Sequence, residues 1–125
     1  MASTSPATGS KIVGVDIFGA ATRDAKRLVA FYRDVLGMTP TAESERGAEF
    51  ELADGTTFGV WQPDVPKTTT GYGALFAVPD INAAVARVRA SGATLPDPFE
   101  TPVCFMTFGT DPDGNEFGLH QRKDR

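Results

Sequence analysis

Between Asp24 and Gly37 the chain reads DAKRLVAFYRDVLG, with apolar residues at Leu28, Phe31, Tyr32, Val35 and Leu36. That i, i+3, i+4, i+7, i+8 spacing is the stripe of an amphipathic helix, and it predicts a helix over 24–36 with Asp24 as cap and Gly37 as stop. The stretch DINAAVARVRASG repeats the plan. Ile81, Ala84, Val85 and Val88 form the stripe, Asp80 opens it and Gly92 closes it, so a second helix is expected over 80–91. A strand-like run precedes each helix, KIVGVDIF at 11–18 and GALFAV at 73–78. Short β-prone pieces follow: EFELA and TFGVWQ in the first half, CFMTF and EFGLHQ in the second. The turn pairs Asp54-Gly55 and Asp113-Gly114 part them.

The halves are two copies of one unit. DGTTFGVWQ at 54–62 and DGNEFGLHQ at 113–121 share Asp, Gly, Phe, Gly and Gln at matching places, 59 residues apart, and the helix caps lie 56 apart. Each half reads strand, helix, then about three strands, an internal repeat in which neither copy buries its apolar face alone. Module one covers about 11–63 and module two about 71–122, in a single domain over 11–122. MASTSPATGS, residues 1–10, is small and polar and reads as a flexible tail with no apolar signal segment.

At 125 residues the chain can bury a core without disulfides or a structural metal. A net charge of −4, with Lys and Arg scattered, gives no basic stripe, so no nucleic-acid partner is expected. No apolar run approaches the roughly 20 residues of a membrane span. Cys104 is the single cysteine and has no internal disulfide partner, which points to a reducing compartment, the cytoplasm. No P-loop, GxGxxG or nucleophile-elbow pattern occurs.

The doubled βαβββ unit, the Asp-opened helix with AFYRDVLG, and DPDGN at 111–115 before the last strand together resemble the vicinal oxygen chelate superfamily, which includes glyoxalase, bleomycin-resistance and extradiol-dioxygenase proteins. The resemblance spans roughly 11–122. It implies an α+β fold in which two βαβββ modules form curled mixed sheets around a shared cavity, and a homodimer. It also implies four metal-ligand positions, one on the first and one on the last strand of each module. They fall at Gly118, Gly59, Gly73 and either Ile17 or, with a one-residue slip, Asp16. Glycine offers no side chain to a cation, so no cofactor is expected, with a divalent metal at a displaced site as the alternative.

Strand alternation puts Glu116, Gly118 and His120 on one face of the last strand and Phe117 and Leu119, facing the helix, on the other. Thr57, Gly59 and Trp61 should correspond in module one. Expected ligand contacts are thus Trp61, His120, Glu116, Gly59, Gly118, Gly73 and Phe105. The glycines are expected to leave room for a ligand to approach backbone. His120 placed at a rim would cost little stability when truncated. Each residue also has a plainer reading: a solvated or locally bonded His120, a rim Glu116, a packed Trp61. Asp16, flanked by Val15 and Ile17, needs a partner, water or the cavity.

Two functions fit. The preferred one is a small-molecule-binding protein lacking the usual metal site, of bleomycin-resistance-like sequestering or carrier type. The alternative is a glyoxalase-like lyase, isomerase or dioxygenase-like enzyme using a displaced metal or a metal-free acid/base pair, with Asp16, Glu116 and His120 as candidate catalytic residues.

Overall fold

A computed structural model describes residues 6–64 and 71–124. The fold class is α+β, built from the two expected βαβββ modules. By contact density the chain divides into two compact units, one spanning Ile17–Gly73 and the other taking the chain up to Asp16 together with Ala74 onward.

In the first of these units, the end of β1 (Gly14–Ala21) pairs in parallel with β4 (Thr57–Trp61), with Ile17 beside Thr57 and Gly19 beside Gly59. Antiparallel pairs add β3 (Gly47–Glu51) and then β2 (Ala42–Ser44). The other unit repeats this order. There β5 (Gly71–Ala77) pairs in parallel with β8 (Glu116–Arg122), followed by antiparallel β7 (Cys104–Thr110) and β6 (Phe99–Glu100). β1 starts at Gly14, three residues after the predicted start.

The hairpin turns are the same in both copies. Leu52 N donates to Thr56 O and Gly55 N to Leu52 O; at the second turn Asp111 N donates to Asn115 O and Gly114 N to Asp111 O. Gly55 and Gly114 have φ of 89° and 86°, left-handed backbone that favours glycine. The repeated aspartates differ. Asp54 accepts from Thr56 N and Oγ1, whereas in the second turn Asp111 holds Asn115 and the Asp113 amide. The bonds from Asn115 hold the Asp111 carboxyl below the ordinary carboxylate range, as those from Thr56 do for Asp54.

α3 (Ile81–Ala90) buries the predicted stripe: Ile81, Ala84 and Val85 pack with Val78, Leu95 and Leu119. α2 (Ala25–Ala30) departs from prediction. It continues as a π-helical turn over Phe31–Val35, closed by Leu36 N to Phe31 O, and Ala25, Val29 and Tyr32 are its buried residues. Phe31, Val35 and Leu36 are exposed. Small Ala25 lets the helix lie close to the sheet, and the inward line runs 25, 29, 32 rather than along the bulkier residues. Tyr32 joins Phe50, Phe58 and Val60 in the core.

Of the expected tail, residues 1–5 lie outside the described residues. Pro6–Gly9 instead form a short helical turn, α1. Gly9 O accepts from Asp80 N, and buried Ser10 Oγ accepts from Arg87. Among the described residues no helix is long and apolar enough to cross a membrane.

Candidate functional site

Phe117 and Leu119 do face α3, where they pack with Ile81, Val85 and Leu95. Strand alternation therefore sends His120 to the helix-free face of β8, and its cross-strand partner Met106 with it. His120 is not at a rim, as the sequence suggests, but buried at 7% exposure. Its Nδ1 lies 2.6 Å from Asp16 Oδ2, and the two side chains are 9% and 10% exposed. The acid stranded in an apolar strand has found the chain's single imidazole, 104 residues away.

A carboxylate only accepts hydrogen bonds, so the neutral ring carries its proton on Nδ1 and keeps the basic lone pair on Nε2. Asp16 also fixes the ring's orientation. Among the described residues no other hydrogen bond reaches the ring, and no buried side-chain nitrogen is left without a partner. Nε2 is thus not fully enclosed, and it is the ring nitrogen that no protein group engages.

Glu116 is half-buried at the start of the same strand. Four residues of strand, roughly 13 Å, separate it from His120. The structure joins Asp16 to His120, and Glu116 stands further along the same face. Phe105, expected to contact ligand, faces the other way. It packs on the α3 core with Lys123 Nζ 5.1 Å from its ring centre, and Met106 stands on the face assigned to it. The period-two rule contained that distinction, because Phe105 pairs with Gln121 and Met106 with His120.

The glycines do not leave backbone open. A Cβ at Gly118 would lie 3.0 Å from both Leu75 Cγ and Phe108 Cε1. A Cβ at Gly59 would lie 3.1 Å from Ile17 Cγ2, with Trp61 ring atoms at 3.6 Å. One at Gly19 would strike Gly59 O at 1.9 Å and the indole at 2.8 Å. Hydrocarbon and indole fill the space, and Trp61 lies half-buried across Gly19 and Gly59. Ile17, not Asp16, is the residue that faces Gly59. Gly73 is half-buried in β5.

Gly118 and Gly59, two of the positions that the resemblance assigns to metal ligands, therefore have no donor side chain, and their neighbours are carbon. Asp16 beside His120 is how a carboxylate orients a metal-binding imidazole, but among the described residues no three His, Cys, Asp or Glu side chains converge. Among the described residues, one imidazole and one carboxylate are the donors that meet there. In the other unit, the Tyr32 and Tyr72 hydroxyls are hydrogen-bonded, and Tyr72 stacks on Phe18 with ring centres 5.6 Å apart. Burial, then the bond to Tyr72, pushes the Tyr32 hydroxyl up to about 12.

Doubled βαβββ modules with this strand order define a protein of the vicinal oxygen chelate superfamily. The chain belongs to the family described as glyoxalase-like domain, whose model matches residues 14–120. Solved structures agree on the fold. Methylmalonyl-CoA epimerase from Mycobacterium tuberculosis is 21% identical, with 97% of this chain and 92% of that one covered and a TM-score of 0.69. A glyoxalase/bleomycin resistance protein/dioxygenase superfamily member from Vibrio splendidus 12B01 is 22% identical over 84% and 96%, with a TM-score of 0.62. A chain described as NAD-dependent benzaldehyde dehydrogenase from Legionella pneumophila is 16% identical over 86% and 98%, at 0.65. At these identities the likeness is one of fold. No curated protein matched the sequence.

Proposed function

We propose that the chain is an enzyme of small organic molecules that moves a proton on and off carbon, with His120 as the base and Asp16 as its orienting partner. One observation carries this reading: a buried imidazole held at Nδ1 by a carboxylate at 2.6 Å, with Nε2 left without a protein partner and not fully enclosed. A histidine that served packing alone would need no buried carboxylate beside it, and burying that carboxylate is costly without a partner. In the neutral ring, Nε2 accepts a proton; the imidazolium formed is stabilised by Asp16 and can return the proton to carbon. Isomerisation and epimerisation are reactions of this kind. The reading uses no metal, since the donors available are one imidazole and one carboxylate already bonded to it. It places the protein in the cytoplasm, as a homodimer.

Trp61 supports a second reading, binding without chemistry. An indole backed by glycines with one side half-exposed is a stacking surface for a planar ligand.

Deuterium incorporation from D2O into a panel of small carbonyl compounds, followed by proton NMR, separates the two. Incorporation by the parent that is lost in His120→Ala and reduced in Asp16→Asn is the expected result. Tight binding of planar compounds with no exchange favours Trp61 and sequestration. Stoichiometric Zn, Ni, Mn or Fe in protein purified without chelator or metal-affinity resin, lost with His120→Ala, overturns the metal-free chemistry.

A further inference from the structure

Arg122 stands two residues beyond His120 on β8, so its side chain leaves the strand on the same helix-free face, roughly 7 Å further along. Asp16 is near enough for its charge to act on this guanidinium. Lys123, the next residue, reaches Glu100 and the Phe105 ring on the opposite face. Arg122 is thus the cation that accompanies the Asp16–His120 pair.

Its fork is already engaged in a revealing way. Nε donates to Asp124 Oδ1 at 2.9 Å and Nη2 to Asp124 Oδ2 at 2.6 Å, the two-point geometry by which arginine recognises a carboxylate. Asp124 lies two residues on, near the chain end, and its side chain is 66% exposed. Exposed pairs of this kind contribute little to stability and exchange readily with other carboxylates. Around His120 the same face carries Met106 beside it and Leu75 and Phe108 over Gly118, with Glu116 at the far end of the strand. The surface thus has one base, one carboxylate receptor and a hydrocarbon stretch between His120 and Glu116.

Resting on the proton-transfer reading, we propose that Arg122 recognises a carboxylate on the substrate, which displaces Asp124 and sets a nearby carbon acid against His120 Nε2. A separation of roughly 7 Å between residues on one strand face suits a carboxylate one to three bonds from the acidic carbon. The substrate class is a small carboxylate whose neighbouring carbon is activated by a carbonyl. The C–H bond breaks as Nε2 takes the proton, and its electron pair moves into the carbonyl to give an enolate. The imidazolium returns a proton to the same carbon, so no oxidant or reductant is consumed. Asp124 is a built-in competitor for the fork.

The test uses monoethyl malonate, an anionic carbon acid, and diethyl malonate, its neutral counterpart. Exchange of the methylene protons in D2O is followed by NMR, and each rate is divided by that in buffer alone. The parent should accelerate the half-ester at least tenfold more than the diester. Arg122→Gln should erase that preference while keeping diester exchange, Arg122→Lys should restore part of it, and Asp124→Asn should raise half-ester exchange several-fold below saturation. Equal preference in the parent and Arg122→Gln overturns the role of Arg122 and leaves the base intact. No exchange of either ester, or exchange undiminished in His120→Ala, overturns the proton-transfer reading and this inference together. Circular dichroism and thermal unfolding of each variant identify any loss that comes from misfolding.

Discussion

Gln62 and Gln121 play one part twice: the Oε1 of each accepts the first backbone amide of its own module's helix, from Ala25 at 2.9 Å and from Ile81 at 2.8 Å. A residue at the end of each module's last strand thus caps the helix, while Asp24 and Asp80 take the following amides. The glutamine of the repeated phrase is a joint between strand and helix. It accounts for the recurrence of that letter better than any role in ligand contact.

Removing either joint should cost stability without touching the helix-free face. Gln62→Ala and Gln121→Ala should each lower the unfolding free energy by about 0.5–2 kcal/mol, the range for loss of a helix cap. Urea unfolding followed by circular dichroism measures this. A loss within error in both variants would show that water replaces the glutamine oxygen at no cost.

His120→Ala should be far from neutral. It leaves the Asp16 carboxylate nine-tenths buried with its imidazole gone, a situation that costs roughly 3–5 kcal/mol. The double variant Asp16→Asn/His120→Ala should recover part of that loss, because the carboxyl that loses its imidazole is then a neutral amide. A double-mutant cycle in urea gives the coupling, and additive losses would contradict the pairing.

The chain has two tyrosines, and they are the hydrogen-bonded Tyr32 and Tyr72. Ultraviolet titration at the tyrosinate band therefore reads this pair alone. Tyr32 should ionise near pH 12 in the folded protein against 10.0 ordinarily. Because the folded value is raised, the associated stability is complete below pH 10 and is lost as pH climbs towards 12. Tyr32→Phe should remove both the late titration step and that alkaline loss.

Phe31, Val35 and Leu36, turned outward by the π-helical turn, give α2 an apolar outer strip. The homodimer belongs to our reading, and Val35→Glu should weaken it if this strip takes part. Sedimentation of parent and variant across micromolar concentrations decides the matter; a monomeric parent removes the dimer altogether.

Much of this was legible in the letters. The 59-residue echo announced two equal modules, and period-two alternation correctly turned Phe117 and Leu119 towards α3 and His120 away from it. Alternation could not reveal His120's burial or its partner, since Asp16 lies 104 residues away and their meeting is a property of strand order. The rotation of α2 escaped for another reason. A stripe of large residues marks the inward face only when the helix keeps 3.6 residues per turn, and the π-helical turn breaks that count while Ala25 permits close approach. Phe105 was misplaced because CFMTF offers aromatic residues to both faces, and which face meets the helix depends on pairing with β8.

The hydrocarbon around Gly118 and Gly59 also restricts what single mutations can reach. A ligating side chain introduced at 118 would carry its Cβ into Leu75 and Phe108, and one at 59 would meet Ile17. Either change asks these neighbours to give by a few tenths of an ångström, however well the new residue suits the ion. Where they cannot give, Leu75, Phe108 or Ile17 must shrink, each opening a cavity whose cost for a large aliphatic or aromatic truncation is about 2–5 kcal/mol. A ligating side chain at 118 or 59 thus carries a packing cost that is independent of the ion it would hold.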